Sequence, residues 1–148
     1  MKTLIIVRHG DYYGPHLSDC GRNQMKALGE KLQAIINGSS VLLFTSIAGR
    51  AKESAEVLGT VLGIGFEEHE ILWSECDHRE DLPGTLKLVR SRKDEADVLI
   101  LVTHYEYVDE FPSYFAIQEL GVQLRSKLIG KGEACVLDCQ QKTLEHVC

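Results

Sequence analysis

The sequence predicts an α/β fold: a single three-layer domain over residues 1–148, with a mostly parallel central sheet and helices on both faces. Three features carry this. Leu4-Ile5-Ile6-Val7 is an uninterrupted apolar run, mostly β-branched, which suits a strand buried on both faces. Val98-Leu99-Ile100-Leu101-Val102 and Val41-Leu42-Leu43-Phe44 repeat the pattern. Between these runs lie stretches with apolar residues at helical spacing, so strands alternate with helices.

The first strand starts at Thr3 and stops at Arg8-His9-Gly10. Asp11 to Leu17 reads as a loop, with Gly14-Pro15 as its turn signal. Ser18 or Asp19 can cap the next helix, where Met25, Leu28, Leu32 and Ile35 form the apolar stripe and Gly38 is the stop. Val41 to Thr45 is the second strand. A helix from about Ala48 to Leu62 follows, with Ala51, Ala55, Leu58 and Leu62 on one stripe and Gly63 and Gly65 at its end. Phe66 to His69 suits a short strand.

Glu70 to Pro83 is rich in acids and histidine and reads as a functional insertion. Leu82, Leu86 and Val89 mark a short helix whose Lys87, Arg90, Arg92 and Lys93 form a solvated face. A strand covers Val98 to Thr103. Tyr105 to Tyr114 is aromatic and acidic and is broken by Pro112, with a helix expected from Ser113 to Leu120. Glu133 to Cys139 and Leu144 to Cys148 form a closing hairpin through Gln140-Gln141-Lys142.

Composition narrows the function. The 148 residues are 44% hydrophobic and 26% charged, ordinary values for a globular domain with a real core. A net charge of −6 argues against nucleic acid or an anionic membrane as partner. No apolar run approaches the roughly 20 residues of a membrane span. The run after Met1-Lys2 is too short for a signal-peptide core of about 7–15 apolar residues. A cytoplasmic location is the expectation. The five cysteines include no C-x-x-C pair and read as reduced thiols, with Cys135 and Cys139 as packing residues on one strand face.

The chemistry collects at strand ends. Arg8-His9 ends the first strand, His104 ends the fourth, and Arg50 lies just beyond the second. In an open parallel sheet the crevice past the carboxyl ends of the strands is where ligands bind. Two guanidiniums and two imidazoles in a net-acidic chain point to a local pocket for an anion. Arginine matches a phosphoryl group through its planar, permanently charged fork. Histidine titrates near neutrality and can act as nucleophile or donor. A metal site would be the other use of His9 and His104, but two arginines would repel a divalent ion, so no metal is assigned.

Arg8-His9-Gly10 after an N-terminal strand resembles the signature of the histidine phosphatase superfamily, the phosphoglycerate-mutase-like fold. Leu17-Ser18-Asp19-Cys20-Gly21-Arg22-Asn23-Gln24 is similar to that family's entry to its first helix. Thr45-Ser46-Ile47-Ala48-Gly49-Arg50-Ala51 is similar to its second motif, with Ile47 where proline is usual and Ser54-Ala55-Glu56 for T-A-E. Val102-Thr103-His104 is similar to its second-histidine strand, and Glu133 to Asp138 to its last core strand. The matches run in order along nearly the whole chain.

The resemblance implies a phosphatase, with no cofactor, that forms a covalent phosphohistidine. His9 would be the nucleophile; Arg8, Arg50 and His104, with Gly10, would bind the substrate's phosphoryl group. Glu75, in Leu72-Trp73-Ser74-Glu75, matches the family's usual general acid, with Glu80, Asp81 and Glu106 as alternatives. The expected substrate is a phosphoprotein carrying phosphohistidine or a phosphorylated small molecule. In size the chain resembles the short bacterial phosphohistidine phosphatases, and little of it is left over for a lid. The rival readings are a phosphoglycerate-mutase-type phosphotransferase, a non-catalytic phosphate-binding module of this fold, and a metal hydrolase.

Overall fold

The computed structural model describes residues 1–127 and 129–148. Its central sheet has six strands: β1 (Thr3–Arg8), β4 (Val41–Thr45), β5 (Glu67–Glu68), β6 (Val98–Thr103), β7 (Ala134–Asp138) and β8 (Thr143–Val147). They are ordered β5-β4-β6-β1-β7-β8. β1 pairs in parallel with β6, and β4 in parallel with both β6 and β5. Only β7 runs against the rest, antiparallel to β1 and to β8. A short ribbon of β2 (Tyr12–Tyr13) and β3 (His16–Leu17) stands apart, in the stretch expected to be a plain loop.

Side chains alternate across the pleat of β1, which explains its unbroken apolar run. Ile5 and Val7 face a core completed by α1 (Asp19–Ile36) and α2 (Gly49–Leu62), with Met25, Leu28, Leu32, Ala55 and Leu58 buried there. Leu4 and Ile6 face a second core under α3 (Leu82–Arg92) and α4 (Tyr105–Phe115), with Leu86, Val89, Tyr107, Val108 and Phe111. Both layers of helices are as expected. No helix of the described residues is long and apolar enough to cross a membrane.

The Ser18 hydroxyl caps α1 by accepting the Gly21 N–H at 3.0 Å. The stripe of α1 ends on Ile36 rather than Ile35, which is 40% exposed, because Ile36 is one full turn after Leu32. Asn37 closes the helix in the left-handed region at φ 43°.

The stretch after β6 departs furthest from expectation. α4 starts at Tyr105, directly after His104, runs through Pro112, and continues as a π-helical turn over Ala116–Leu120. A proline inside a helix costs about 3 kcal/mol. Tyr107, Val108, Phe111 and Phe115 are all buried on one side of this helix. At roughly 1.5–3 kcal/mol for each buried large apolar side chain, the stripe outweighs the proline.

Two cations of α3 are not simply solvated. Arg92 donates to both oxygens of Glu67 at 3.2 and 2.8 Å, also contacts Glu95, and lies 5.0 Å above the Phe44 ring. Arg90 pairs with Glu119. These exposed pairs contribute at most about 1 kcal/mol each. Cys135 and Cys139 pack against the second core, as expected, and burial pushes the Cys135 thiol up to about 12.

Candidate active site

The register of the parallel strands builds the floor of the site. Arg8 lies opposite Thr103 in the β1–β6 ladder, so the next residues, His9 and His104, emerge side by side. Their ring centroids are 5.2 Å apart. The His9 N–H donates to the Thr103 carbonyl at 3.1 Å, and the Ser46 N–H to the Val102 carbonyl at 3.0 Å. α2 then starts next to these strand ends and places Arg50 in its first turn.

Arg50 bridges the two imidazoles. Its Nε donates to His9 Nε2 at 3.2 Å, and its second guanidinium nitrogen donates to His104 Nδ1 at 3.3 Å. His9 Nδ1 lies 2.9 Å from the Gly10 carbonyl, which can only accept. His9 therefore carries its proton on Nδ1 and presents the lone pair of Nε2 to the cleft. His104 accepts at Nδ1, so its Nε2–H donates to Ser46 Oγ at 2.8 Å. Both rings are buried. His9 is pushed down to about 4: burial is the main cause, the Gly10 carbonyl opposes it, and Arg50, Arg8 and Lys131 add to it. His104 is pushed down to about 3 by burial first, then by His9 and Arg50. Both imidazoles are neutral at pH 7.

Arg8 completes the floor. It donates to the Ile129 carbonyl at 3.1 Å and lies 5.1 Å over the Tyr105 ring. Its Nε is buried without a partner among the described residues. Above this floor opens a cleft of about 390 Å³. Tyr12 meets His9 edge-on at 5.2 Å and takes the Arg50 guanidinium over its ring at 4.9 Å. Glu75, Asp77 and Glu106 stand at the rim with Cys76 and Tyr105. The result is a floor of two buried imidazoles and two guanidiniums, with acidic and aromatic side chains also lining the cleft.

The sequence profile of the histidine phosphatase superfamily, branch 1, matches residues 4–80, just over half of the chain. The chain belongs to the histidine phosphatase superfamily. Among curated proteins none matches the sequence significantly. Solved structures of the superfamily's fold superpose along nearly the full length. The protein histidine phosphatase SixA in complex with tungstate gives a TM-score of 0.79 at 15% identity, covering 98% of this chain and 96% of that one. A mycobacterial glucosyl-3-phosphoglycerate phosphatase gives 0.68 at 19%, covering 99% and 97%. The phosphoglycerate mutase of Plasmodium falciparum gives 0.62 at 20%, covering 97% and 87%. At these identities the likeness speaks to the fold.

In this superfamily member the structure brings Arg8, His9, Arg50 and His104 together, as the strand ends suggested. Gly10 does otherwise than expected. Its carbonyl holds His9, and its N–H donates to Ser54 Oγ at 3.0 Å, so its polar groups are used internally. A Cβ on Gly10 would lie 2.8 Å from the Gly21 carbonyl oxygen, so glycine is needed for close approach to α1. The candidate acids separate. Glu75 lies 3.6 Å from Arg50 and Glu106 accepts from Ser74 Oγ at 2.8 Å, both at the cleft. Asp81 instead caps α3 by accepting the Gly84 N–H. Glu80 lies beside Glu110, and its proximity holds the Glu110 carboxyl above its ordinary value.

Sequence reasoning missed Tyr12, Ser46, Ser54 and Lys131. Ser54 was within reach, since it lies one helical turn after Arg50; its hydroxyl donates to the Arg50 carbonyl at 2.7 Å while accepting from Gly10. Ser46 follows the last residue of β4, again a strand-end position. Lys131 is distant in sequence, yet its ammonium sits 4.9 Å from the Tyr12 ring and 3.3 Å from Asp11. No local pattern marks it.

Proposed function

We propose that this protein is a phosphatase that works through a phosphohistidine on His9. The observation that carries the reading is the orientation of His9: its Nδ1–H is anchored on the Gly10 carbonyl, and its unprotonated Nε2 accepts from the guanidinium of Arg50 on the cleft side. A nucleophilic imidazole needs that tautomer, a depressed basicity that keeps it neutral, and a cation where its target will bind. The superfamily membership and the phosphatases among its structural relatives support the same reading.

In the first step a phosphoryl group replaces the imidazole–guanidinium contact. The guanidiniums of Arg8 and Arg50, both lining the cleft, grip its non-bridging oxygens. His9 Nε2 attacks phosphorus in line, and the bond from phosphorus to the leaving group breaks. Glu75 is the proton source for the leaving group, with Glu106 the alternative at the same rim. Water then attacks the phospho-His9, the P–N bond breaks, and inorganic phosphate leaves. His104 and the arginines hold the charge that gathers on the equatorial oxygens in both steps. With that charge met by two guanidiniums, the reaction needs no metal ion.

The cleft favours a phosphate carried on a large substrate, such as phosphohistidine on a protein. It is lined by Glu75, Asp77 and Glu106, which oppose a second anionic group close to the phosphoryl group. A small phosphomonoester is the other substrate class. A mutase would have to shield the phosphoenzyme from water. The ribbon Tyr12–Leu17 and the segment 70–81 are the material nearest the mouth, and both are short.

Brief incubation with a labelled aryl phosphate followed by quenching tests the reading. The expected result is an acid-labile, base-stable phosphoryl label on His9 and release of inorganic phosphate, with both lost in His9→Ala. Normal turnover in His9→Ala, in a protein with unchanged circular dichroism, overturns it. Transfer of the label to another organic molecule rather than to water would make the protein a transferase.

A further inference from the structure

We propose that Glu133, His146 and Cys148 form a binding site for a transition-metal ion of the zinc type, away from the cleft and separate from the reaction assigned to His9. The site follows from strand register. Ala134 pairs with Val147 and Cys135 with His146 across β7 and β8. Glu133, just before β7, therefore stands opposite Cys148, just after β8. His146 and Cys148 are two residues apart, so they share a face of the sheet.

The geometry is nearly that of a coordination sphere. One donor atom from each residue lies within 4.8 Å of the other two. His146 Nε2 is already 3.6 Å from Glu133 Oε2. Tetrahedral zinc, with bonds of about 2.0–2.3 Å, separates its ligand atoms by roughly 3.3–3.7 Å, so the His146–Glu133 separation already fits and the set needs only a small contraction. His146 Nε2 is shielded from solvent and has no hydrogen-bond partner among the described residues. An unpartnered, shielded imidazole nitrogen facing a carboxylate and a thiol is a donor set without its acceptor.

The set is chemically matched as well. A thiolate, an imidazole and one carboxylate suit a borderline-soft ion and leave a fourth position for water. The surroundings hold the ligands in place. Glu133 Oε1 accepts the Gly130 N–H, and Lys31 Nζ reaches the Cys148 carbonyl. Binding would deprotonate the Cys148 thiol and use the neutral form of His146, so protons are released.

An ion here would clamp the end of β8 to the backbone behind the nucleophile. The Glu133 carbonyl accepts the Arg8 N–H at 3.0 Å, and the Gly132 N–H is shared between the Arg8 and His9 carbonyls at 3.1 Å. A metal at Glu133 would stiffen that loop without touching the substrate.

Cobalt(II) titration of the full, reduced, chelator-treated chain tests this. One equivalent should produce thiolate-to-cobalt charge-transfer absorption with intense tetrahedral d–d bands, and zinc should displace it. Cys148→Ser should abolish the charge-transfer band, while the double variant Cys20→Ser, Cys76→Ser should keep it. His146→Asn and Glu133→Gln should each weaken cobalt binding by roughly tenfold or more. Zinc should raise the melting temperature of the wild type and leave that of Cys148→Ser unmoved. No charge-transfer band, a band that survives in Cys148→Ser, or unchanged affinity in His146→Asn overturns the proposal.

Discussion

Lowering the pH should destabilise this protein through His9, by an amount the structure sets. In the unfolded chain His9 titrates at 6.5; folded, it is pushed down to about 4. Between those values the unfolded state binds a proton that the folded state refuses, so stability falls as pH falls. The contribution is fully present above the unfolded value and is lost as pH drops toward the folded one. Integrating that difference gives a loss of about 2 kcal/mol from pH 7 to pH 5, and about 3 by pH 4. The perturbation is His9→Asn, and the assay is urea unfolding of both proteins at pH 7, 6 and 5. Asp11, Glu53 and Glu67, all held below their ordinary values, titrate in both proteins and cancel in the difference. Removing His9 also relieves part of the depression of His104, which widens the gap in the same direction. With a urea slope of about 2 kcal/mol/M, the wild-type midpoint should fall by about 1 M more than that of the variant between pH 7 and pH 5. A difference between the two proteins that stays constant across this range would refute a buried, neutral His9.

Arg50→Ala removes the donor to both imidazoles, and isothermal titration should show inorganic phosphate binding roughly 10- to 100-fold more weakly, from the 1.5–3 kcal/mol of a charged hydrogen bond; a change under twofold would place the anion elsewhere. Glu75→Gln should slow alkyl phosphate hydrolysis by about 10²–10⁴-fold but spare a nitrophenyl phosphate, whose leaving group needs no proton. The same split in Glu106→Gln instead would move the acid to Glu106. Gly21→Ala should destabilise by at least about 3 kcal/mol, because overpacking here meets rigid backbone: the added Cβ lies 2.0 Å from the Asp11 carbonyl oxygen. Gly65→Ala, with nothing within 4 Å, should be neutral or slightly stabilising in the same denaturation assay.

What could be read from the chain was what the hydrogen-bonded lattice enforces. The runs around Ile5, Leu43 and Ile100 became the three central parallel strands, and the helical stripes through Met25 and Leu58 became the helices over one face. The floor of the site was legible because it sits at strand ends. The rest depended on contacts that no local pattern encodes. Pro112 reads as a break because the rule is local, whereas Phe111 and Phe115 are held by a distant core. Arg92 reads as solvated because its partners Glu67 and Phe44 come from other elements. Tyr12, from the β2–β3 ribbon, and Lys131, from the turn before β7, reach His9 and Arg50 from segments joined only in three dimensions.

The same division explains how the site is partitioned. Neighbouring parallel strands lie about 4.8 Å apart, close to the 5.2 Å between the two imidazoles, so the separation of His9 and His104 is a property of the sheet. A slip of one residue in β6 would turn His104 away from the cleft, and every buried side chain of that strand would change face with it. The floor of Arg8, His9 and His104 is thus tied to the stability of the core and cannot drift without unfolding. Glu75 and Asp77 have no such tie: both lie in the loop 73–81, where length and sequence can change at little cost to packing, whereas Tyr105 and Glu106 open α4 directly after His104. The proposed phosphoryl chemistry therefore rests on groups fixed by the strand ends and by the first turn of α2, and the proposed choice of substrate on the acids at the other side of the cleft.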